Sequence, residues 1–374
     1  MKETVGILID YGNSSTRFYT IYDKHSWYKE LPNQYVKLTE NLPPEYVNVE
    51  SNSFKVNDVM YAQGVYVTRE CSTMAVRPNS LQKKIVQQVT MLTTHLVINY
   101  ALRLVAKYCK CTVEDLDVEI TLGILLPAGE HNKDAEVFKA KLKDLHHIVA
   151  LTPVAFEKDV TITKVMLLPE GAAAYMNAIY KIADNGDYVI RDENKMFTEG
   201  DLLVVDIGAG TTDIVLIRDG DLTLSSKDTM HKGGRAIESM LKQRLEERFE
   251  YKISDKDVRH ILETGTLVQG TVTHDVCDVL DGVKDVFSNV LFNYLVEYIE
   301  RHEIELRALK GLLVVGGGAL ETKDADGNVI SQKIADVLIK YIKGLTSTVA
   351  LAHIEDDPRK MNIDGLRLYY LAQA

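Results

Sequence analysis

Ile9–Asp23 reads IDYGNSSTRFYTIYD, and Val205–Asp219 reads VDIGAGTTDIVLIRD. Aligned without a gap, Asp10 falls on Asp206, Gly12 on Gly208, Thr16 on Thr212, Ile21 on Ile217 and Asp23 on Asp219. Ser15 falls on Thr211, a hydroxyl in both copies. Each copy is an apolar run ending in aspartate, a turn of small residues, and a second run rich in β-branched and aromatic side chains, the pattern of a hairpin. Such a hairpin at the head of each of two strand–helix alternations points to a duplicated fold with two facing hairpins.

Working outward from the first copy, short strands are expected at Tyr46–Val49, Ser53–Val56 and Val59–Ala62. A long helix follows, from Ser80 as N-cap to about Tyr108. Then come a strand over Asp117–Leu126, a helix over Glu130–Leu145, a strand over Thr161–Leu168 and a helix over Pro169–Ala183. Asn185–Gly200 is polar and turn-rich and breaks the pattern. Around the second copy the order repeats: strands Asp201–Asp206, Thr212–Arg218 and Asp221–Lys227, then a helix over Gly234–Phe249. Ser254 with Asp257 makes a capping box for a helix through Glu263. Further helices are expected over His274–Arg301, Ser331–Ile342 and Asp357–Ala372, the last interrupted near Gly365. Leu312–Val315 is a buried strand running into Gly316-Gly317-Gly318 and then a helix. Strands between helices imply an α/β architecture in which part of each sheet is parallel.

Composition narrows the chemistry. The 374 residues are 46% hydrophobic and 26% charged, the balance of a globular protein and not of a disordered or fibrous one. The net charge of −11, without a long Lys/Arg run, opposes direct binding to a nucleic-acid polyanion. Cys71, Cys109, Cys111 and Cys277 are too few for a disulfide framework, and Cys109 and Cys111 lack zinc-knuckle spacing, so reduced thiols in a cytoplasmic protein are expected. No signal peptide and no apolar stretch approaching a membrane span are read from the sequence. Walker-type, dinucleotide-fold and nucleophile-elbow motifs are absent.

The chemistry sits in the turns. An Asp-x-Gly-x-x-Ser/Thr-Thr turn offers backbone N–H groups to phosphate oxygens, and its aspartate tolerates phosphate only with a cation between them, a role Mg²⁺ suits. Two ordinary hairpins are the plainer alternative. Pro169-Glu170-Gly171-Ala172-Ala173-Ala174-Tyr175 opens a helix, where Glu170 either complements the helix dipole or positions a water. The glycine triplet, and Gly233-Gly234 ahead of another helix, suit either close approach to a flat ligand or a bare turn.

In this order the segments IDYGNSSTRFY, PEGAAAY, VVDIGAGTTDIVLI, VVGGGALE and NIDGLRLYYLA resemble the two phosphate, two connecting and one adenosine segments of the actin-like ATPase superfamily, and most resemble its ParM-like plasmid-segregation actins. The resemblance implies a duplicated, ribonuclease H-like α/β fold with two lobes around a nucleotide cleft. Residues 1–167 would form the first lobe, with a smaller subdomain inserted at roughly 30–80, residues 168–356 the second, and 357–374 a helix returning to the first. It implies that Asp10 and Asp206 hold Mg²⁺ through water, and that Gly12, Asn13, Ser14, Ser15 and Thr16, with Gly208, Ala209, Gly210, Thr211 and Thr212, cradle phosphates. Arg17 stands where relatives often carry lysine. Glu170 would position the attacking water, Gly317 and Gly318 would flank the adenosine with Gly233 and Gly234 nearby, and Glu263 would reach the ribose. The implied activity is hydrolysis of ATP or GTP coupled to head-to-tail filaments that move plasmid DNA through an adaptor bound to a centromere-like site. A small-molecule kinase on the same fold and a cytoskeletal scaffold are the alternatives.

Overall fold

The computed structural model describes residues 3–47, 51–79, 82–131, 133–183, 186–354 and 357–373. They form two compact units, one of residues up to 173 together with those from 369 onward, the other of residues 174–368. The sequence places these divisions at 167/168 and 356/357; by contact the residues from 357 to 368 belong with the second unit.

In the first unit β1 (Glu3–Tyr11), β2 (Ser15–Tyr22) and β3 (His25–Pro32) form an antiparallel meander. Two later strands, β4 (Val118–Leu126) and β5 (Ile162–Pro169), add to it in parallel, giving the order β5-β4-β1-β2-β3. Parallel neighbours need crossover connections, which α1 (Gln88–Cys109) and α2 (Lys133–Lys143) supply. Val5–Ile9 are buried without alternation, as expected of a central strand covered on both faces. By length and composition α1 could cross a membrane, contrary to the sequence expectation, yet it packs into this core through Leu92, Leu96, Leu102 and Val105.

The second unit repeats the plan. β6 (Asp201–Ile207), β7 (Thr212–Arg218) and β8 (Asp221–Met230) form the meander, and β9 (Leu309–Val315) and β10 (Ala350–Leu351) add in parallel, in the order β8-β7-β6-β9-β10. The registers match: Asp10 pairs with Arg17 and Tyr11 with Thr16, as Asp206 pairs with Asp213 and Ile207 with Thr212. The duplication read from the two hairpins is therefore a duplication of whole sheets.

Several local expectations are corrected. Tyr46 ends a single 3₁₀ turn, Pro44–Tyr46, and Asn48–Val49 lie outside the described residues. Strands Tyr35–Leu38, Ser51–Val56 and Val59–Gly64 share an antiparallel sheet with His147–Thr152 and Phe156–Asp159, the last only four residues long with three of them charged. Ser80 lies outside the described residues, and α1 starts only at Gln88. Pro169 closes β5, and Gly171, at φ +62°, reverses the chain into α3 (Ala172–Ile179). In the second unit α4 (Gly234–Phe249) and the capping box of α5 (Asp255–Thr264) are as read. Val272–Asp275 pairs with Thr266–Gln269, so α6 begins at Cys277 and runs to Arg301. The glycine triplet leads into one 3₁₀ turn, Gly317–Ala319, and the next helix is α7 (Ile334–Lys343). Finally, α8 (Met361–Gln373) runs unbroken through a buried Gly365.

Candidate functional site

The first phosphate-type turn hangs from the buried end of β1. Asp10 is 6% exposed. Gly12 N donates to Asp10 O at 3.2 Å, and a Cβ on Gly12 would collide with the Ser15 carbonyl, so the turn closes only with glycine there. Asn33 braces the turn from outside: its Nδ2 donates to Gly12 O at 2.8 Å and its backbone N to Ser14 O at 3.0 Å. Thr93 Oγ1 in turn donates to Asn33 Oδ1 at 3.0 Å. Asn13 is half-buried and Ser14 exposed at the tip, while Ser15 Oγ donates to Glu30. The Thr16 hydroxyl is buried with no hydrogen-bond partner. Arg17 bridges two carboxylates, 3.5 Å from Asp10 and 3.5 Å from Glu30, so its charge is already engaged at the turn.

Glu170 belongs to the same unit. Its backbone N donates to Leu126 O at 2.8 Å, which anchors it just beyond the ends of β4 and β5. It precedes α3, so the first-turn position inferred for it from Pro169 does not hold. Its Oε1 accepts from Lys84 Nζ at 2.6 Å, with both side chains largely shielded. Lys84 is itself fixed, because Glu130 accepts from Lys84 N at 2.9 Å and from Ile85 N at 3.1 Å, satisfying the open N–H groups of the 3₁₀ turn Lys84–Val86.

The second unit builds its turn in the same way. Asp206 is 6% exposed at the end of β6, and Gly208 N donates to Asp206 O at 3.2 Å, the same distance as in the first copy. Asn362 Nδ2, from the first turn of α8, donates to Asp206 Oδ2 at 2.5 Å. Gly208–Thr211 are half-buried. Beneath them Gly234 N donates to Gly208 O at 2.9 Å and Arg235 N to Ala209 O at 2.8 Å. A Cβ on Gly233 would strike Gly208 O and Thr211, so Gly233 and Gly234 shape the turn that they support. Thr212 is fully buried and donates to Lys232 O at 2.8 Å, which makes it a bracket of the turn and not an open donor. Gly316, at φ +90°, lies against Asp206 Oδ1, where any side chain would clash. Gly318 is packed on Ile207, whereas Gly317 faces open space. Glu263 is exposed near the end of α5, and its carbonyl accepts from Lys323 N at 2.9 Å.

Each unit thus ends a central strand in a shielded carboxylate followed by a glycine turn. Among the described residues no cluster of three His, Cys, Asp or Glu could hold a metal alone. An oxygen-seeking ion such as Mg²⁺ keeps most of its waters and needs only one or two protein carboxylates beside phosphate; each turn by itself offers one, Asp10 in the first unit and Asp206 in the second.

No family model and no curated protein matches the chain. Solved structures do. The archaeal actin homologue Ta0583 matches with a TM-score of 0.73 at 12% identity, over 99% of this chain and 100% of that one. The fold is actin-like. A ParM from Bacillus thuringiensis, solved with ATP, matches with a TM-score of 0.64 at 13% identity over 100% of this chain and 99% of that one. The ParM of a 15-stranded filament from Clostridium botulinum matches with a TM-score of 0.64 at 17% identity over 100% of both. Against this actin-like frame, sequence reasoning misses Lys84, Asn33 and Asn362. Asn362 lies in NIDGLRL, a segment the sequence does single out; Lys84 and Asn33 carry no local signal.

Proposed function

We propose that the chain is an actin-like ATPase that binds Mg-ATP or Mg-GTP, polymerises head to tail in the nucleotide-bound state, and disassembles after hydrolysis. The observation that carries this reading is the repeated turn: two buried strand-end aspartates, each followed two residues on by a glycine, whose Cβ would collide with the Ser15 carbonyl at Gly12 and press on the Thr211 carbonyl at Gly208. Backbone N–H groups of such turns bind phosphate oxygens. The ATP in the B. thuringiensis ParM structure and the filament formed by the C. botulinum ParM support extending it to nucleotide and to polymer. Head-to-tail contact that does not close on itself generates an open filament.

In this reading Glu170 orients the attacking water, and Lys84 fixes the carboxylate so that the water is presented in one direction. Losing a positioned acid–base group costs about 10²–10⁴ in rate. Glu170→Ala should therefore still assemble with nucleotide but hydrolyse slowly and form longer-lived filaments. We further propose that the filaments move DNA in the cytoplasm through a separate adaptor, because a surface of net charge −11 does not favour direct contact with a duplex. Light scattering and pelleting with Mg-ATP and Mg-GTP, beside phosphate release, test the core of the proposal. A chain that stays monomeric and instead phosphorylates a small acceptor is a kinase.

A further inference from the structure

Lys284 is a charge where the helical pattern calls for an apolar residue. It lies on the buried face of α6 with Leu280, Val283, Phe287 and Leu291, and it is 3% exposed. Its Nζ donates to Thr322 Oγ1 at 3.0 Å and to Ser331 Oγ at 2.9 Å. Both hydroxyls pass their own protons on. Thr322 Oγ1 donates to Leu262 O at 2.8 Å, near the end of α5, and Ser331 Oγ to Asp281 Oδ1 at 2.5 Å, one turn back on α6. Each hydroxyl is thus left to accept, and an ammonium, all donor and no acceptor, is the group that suits them both. Burial holds it down at about 8 from an ordinary 10.5, against the opposing pull of the Asp281 charge. The lysine is therefore kept at a cost that a methionine of similar length would not carry.

The two hydroxyls stand at either end of one loop. Ile330 N donates to Thr322 O at 3.0 Å and closes it, and Gln332 N, just past Ser331, donates to Asp281 Oδ1 at 2.9 Å. Lys323 N donates to Glu263 O at 2.9 Å, which joins the loop to α5 a second time. Upstream, Thr322 follows Gly318 by four residues. Gly318 is packed on Ile207 and Gly316 on the Asp206 carboxylate, at the foot of the second turn. The chain that leaves the glycine triplet is therefore held at one end by β6 and at the other by Lys284. All of these residues belong to the second unit.

We propose that Lys284 is a positioning residue for nucleotide binding: by tying the loop Thr322–Ser331 to α5 and α6 it fixes the glycine triplet and the exposed end of α5 as one surface for the nucleoside. The assignment rests on the nucleotide reading above. Phosphates held at Gly208–Thr211 bring the rest of the nucleotide to the surface beside that turn, where Gly317 is the open position. Lys284 itself touches no ligand, and acts only through the backbone that it holds.

Amide exchange and calorimetry on the full chain test it together. Lys284→Met keeps the stem and leaves both hydroxyls the bonds that they donate, so the variant should melt as a folded protein. Exchange at the Lys323, Ile330 and Gln332 amides should quicken roughly 10–100-fold, the worth of a charged hydrogen bond to local opening, while β6 and β9 keep their protection. Affinity for Mg-ADP and for Mg-AMPPNP should fall by one common factor of about 2–30, the range over which substitutions remote from a ligand act. A common factor locates the effect away from the γ-phosphate, whereas a merely structural lysine would leave both affinities unmoved. Thr322→Val cuts only the arm to α5 and should reproduce both effects in smaller measure, so the test stands even where Lys284→Met fails to fold. A parent chain that binds neither ligand overturns the nucleotide reading and this assignment with it. The assignment alone is overturned if the parent binds both ligands and the variants bind them equally well, if the loss is confined to Mg-AMPPNP, or if the three amides exchange at the parent rate.

Discussion

Removing the ammonium of Lys84 should expose how strongly the fold depends on the Lys84–Glu170 pair. The two charges sit 2.6 Å apart, with side chains only 14% and 10% exposed, so neither is well hydrated. Lys84→Met keeps most of the aliphatic stem. The backbone at Lys84 stays tied by its 2.9 Å bond to Glu130, so little besides the charge is lost. Breaking a buried pair from one side leaves its partner uncompensated and costs about 3–5 kcal/mol. Glu170→Gln removes the charge that faces the lysine and should cost a similar amount. The double variant strands neither charge, so its loss should fall at least about 2 kcal/mol short of the sum, well beyond the roughly 0.5 kcal/mol scatter of independent sites. Urea unfolding of the four proteins at pH 7 measures the cycle. Additive losses would refute the pairing as a source of stability, and with it the idea that Lys84 fixes the Glu170 carboxylate.

Three further outcomes follow from the same geometry. Asn362→Leu removes the donor 2.5 Å from the buried Asp206 carboxylate and should cost about 1.5–3 kcal/mol by urea unfolding, with weaker nucleotide binding by calorimetry; unchanged values in both would remove Asn362 from the site. Gly316→Ala combines a left-handed backbone with a collision at Asp206 and should lose at least about 1–3 kcal/mol, whereas Gly317→Ala, facing open space, should be nearly silent in a thermal melt. Burial holds the His95 imidazole down at about 4 from an ordinary 6.5, with the His147 charge adding to the effect. The unfolded chain then binds the extra proton first, so stability is complete above pH 6.5 and declines as pH falls towards 4, by on the order of 3 kcal/mol in total. His95→Gln should flatten that limb of the urea-midpoint profile, and an unchanged slope would place the titration elsewhere.

The parts of the fold legible in the sequence are those fixed by neighbours along the chain. Asp10 and Gly12 announce their turn because the glycine is demanded by an atom only three residues on, the Ser15 carbonyl. The capping box at Ser254 and Asp257 is equally local. The start of α1 is not: Gln87 sets it by bonding the Asn79 and Gln82 carbonyls, which leaves no capping residue to recognise. Strand Phe156–Asp159 carries three charges in four residues and finds its place through His147–Thr152. Lys84 and Glu170 are 86 positions apart, and nothing near either one announces the other.

The register shared by the two meanders bears on how such a molecule diverges. At the position across from the strand-end aspartate, one copy carries Arg17 and the other Asp213, whose carboxylate accepts from Thr229 Oγ1 at 2.5 Å. A reversal of charge has been absorbed there without moving the partner by one residue. Shared between the copies are the aspartate, the glycine two places on and the hydrogen bond that joins them, along with the threonine at the start of the second strand and the Ile and Asp near its end. The fold thus depends on a few backbone geometries more than on residue identity, and solved structures at 12–17% identity share it along the whole length of this chain while no family model matches it.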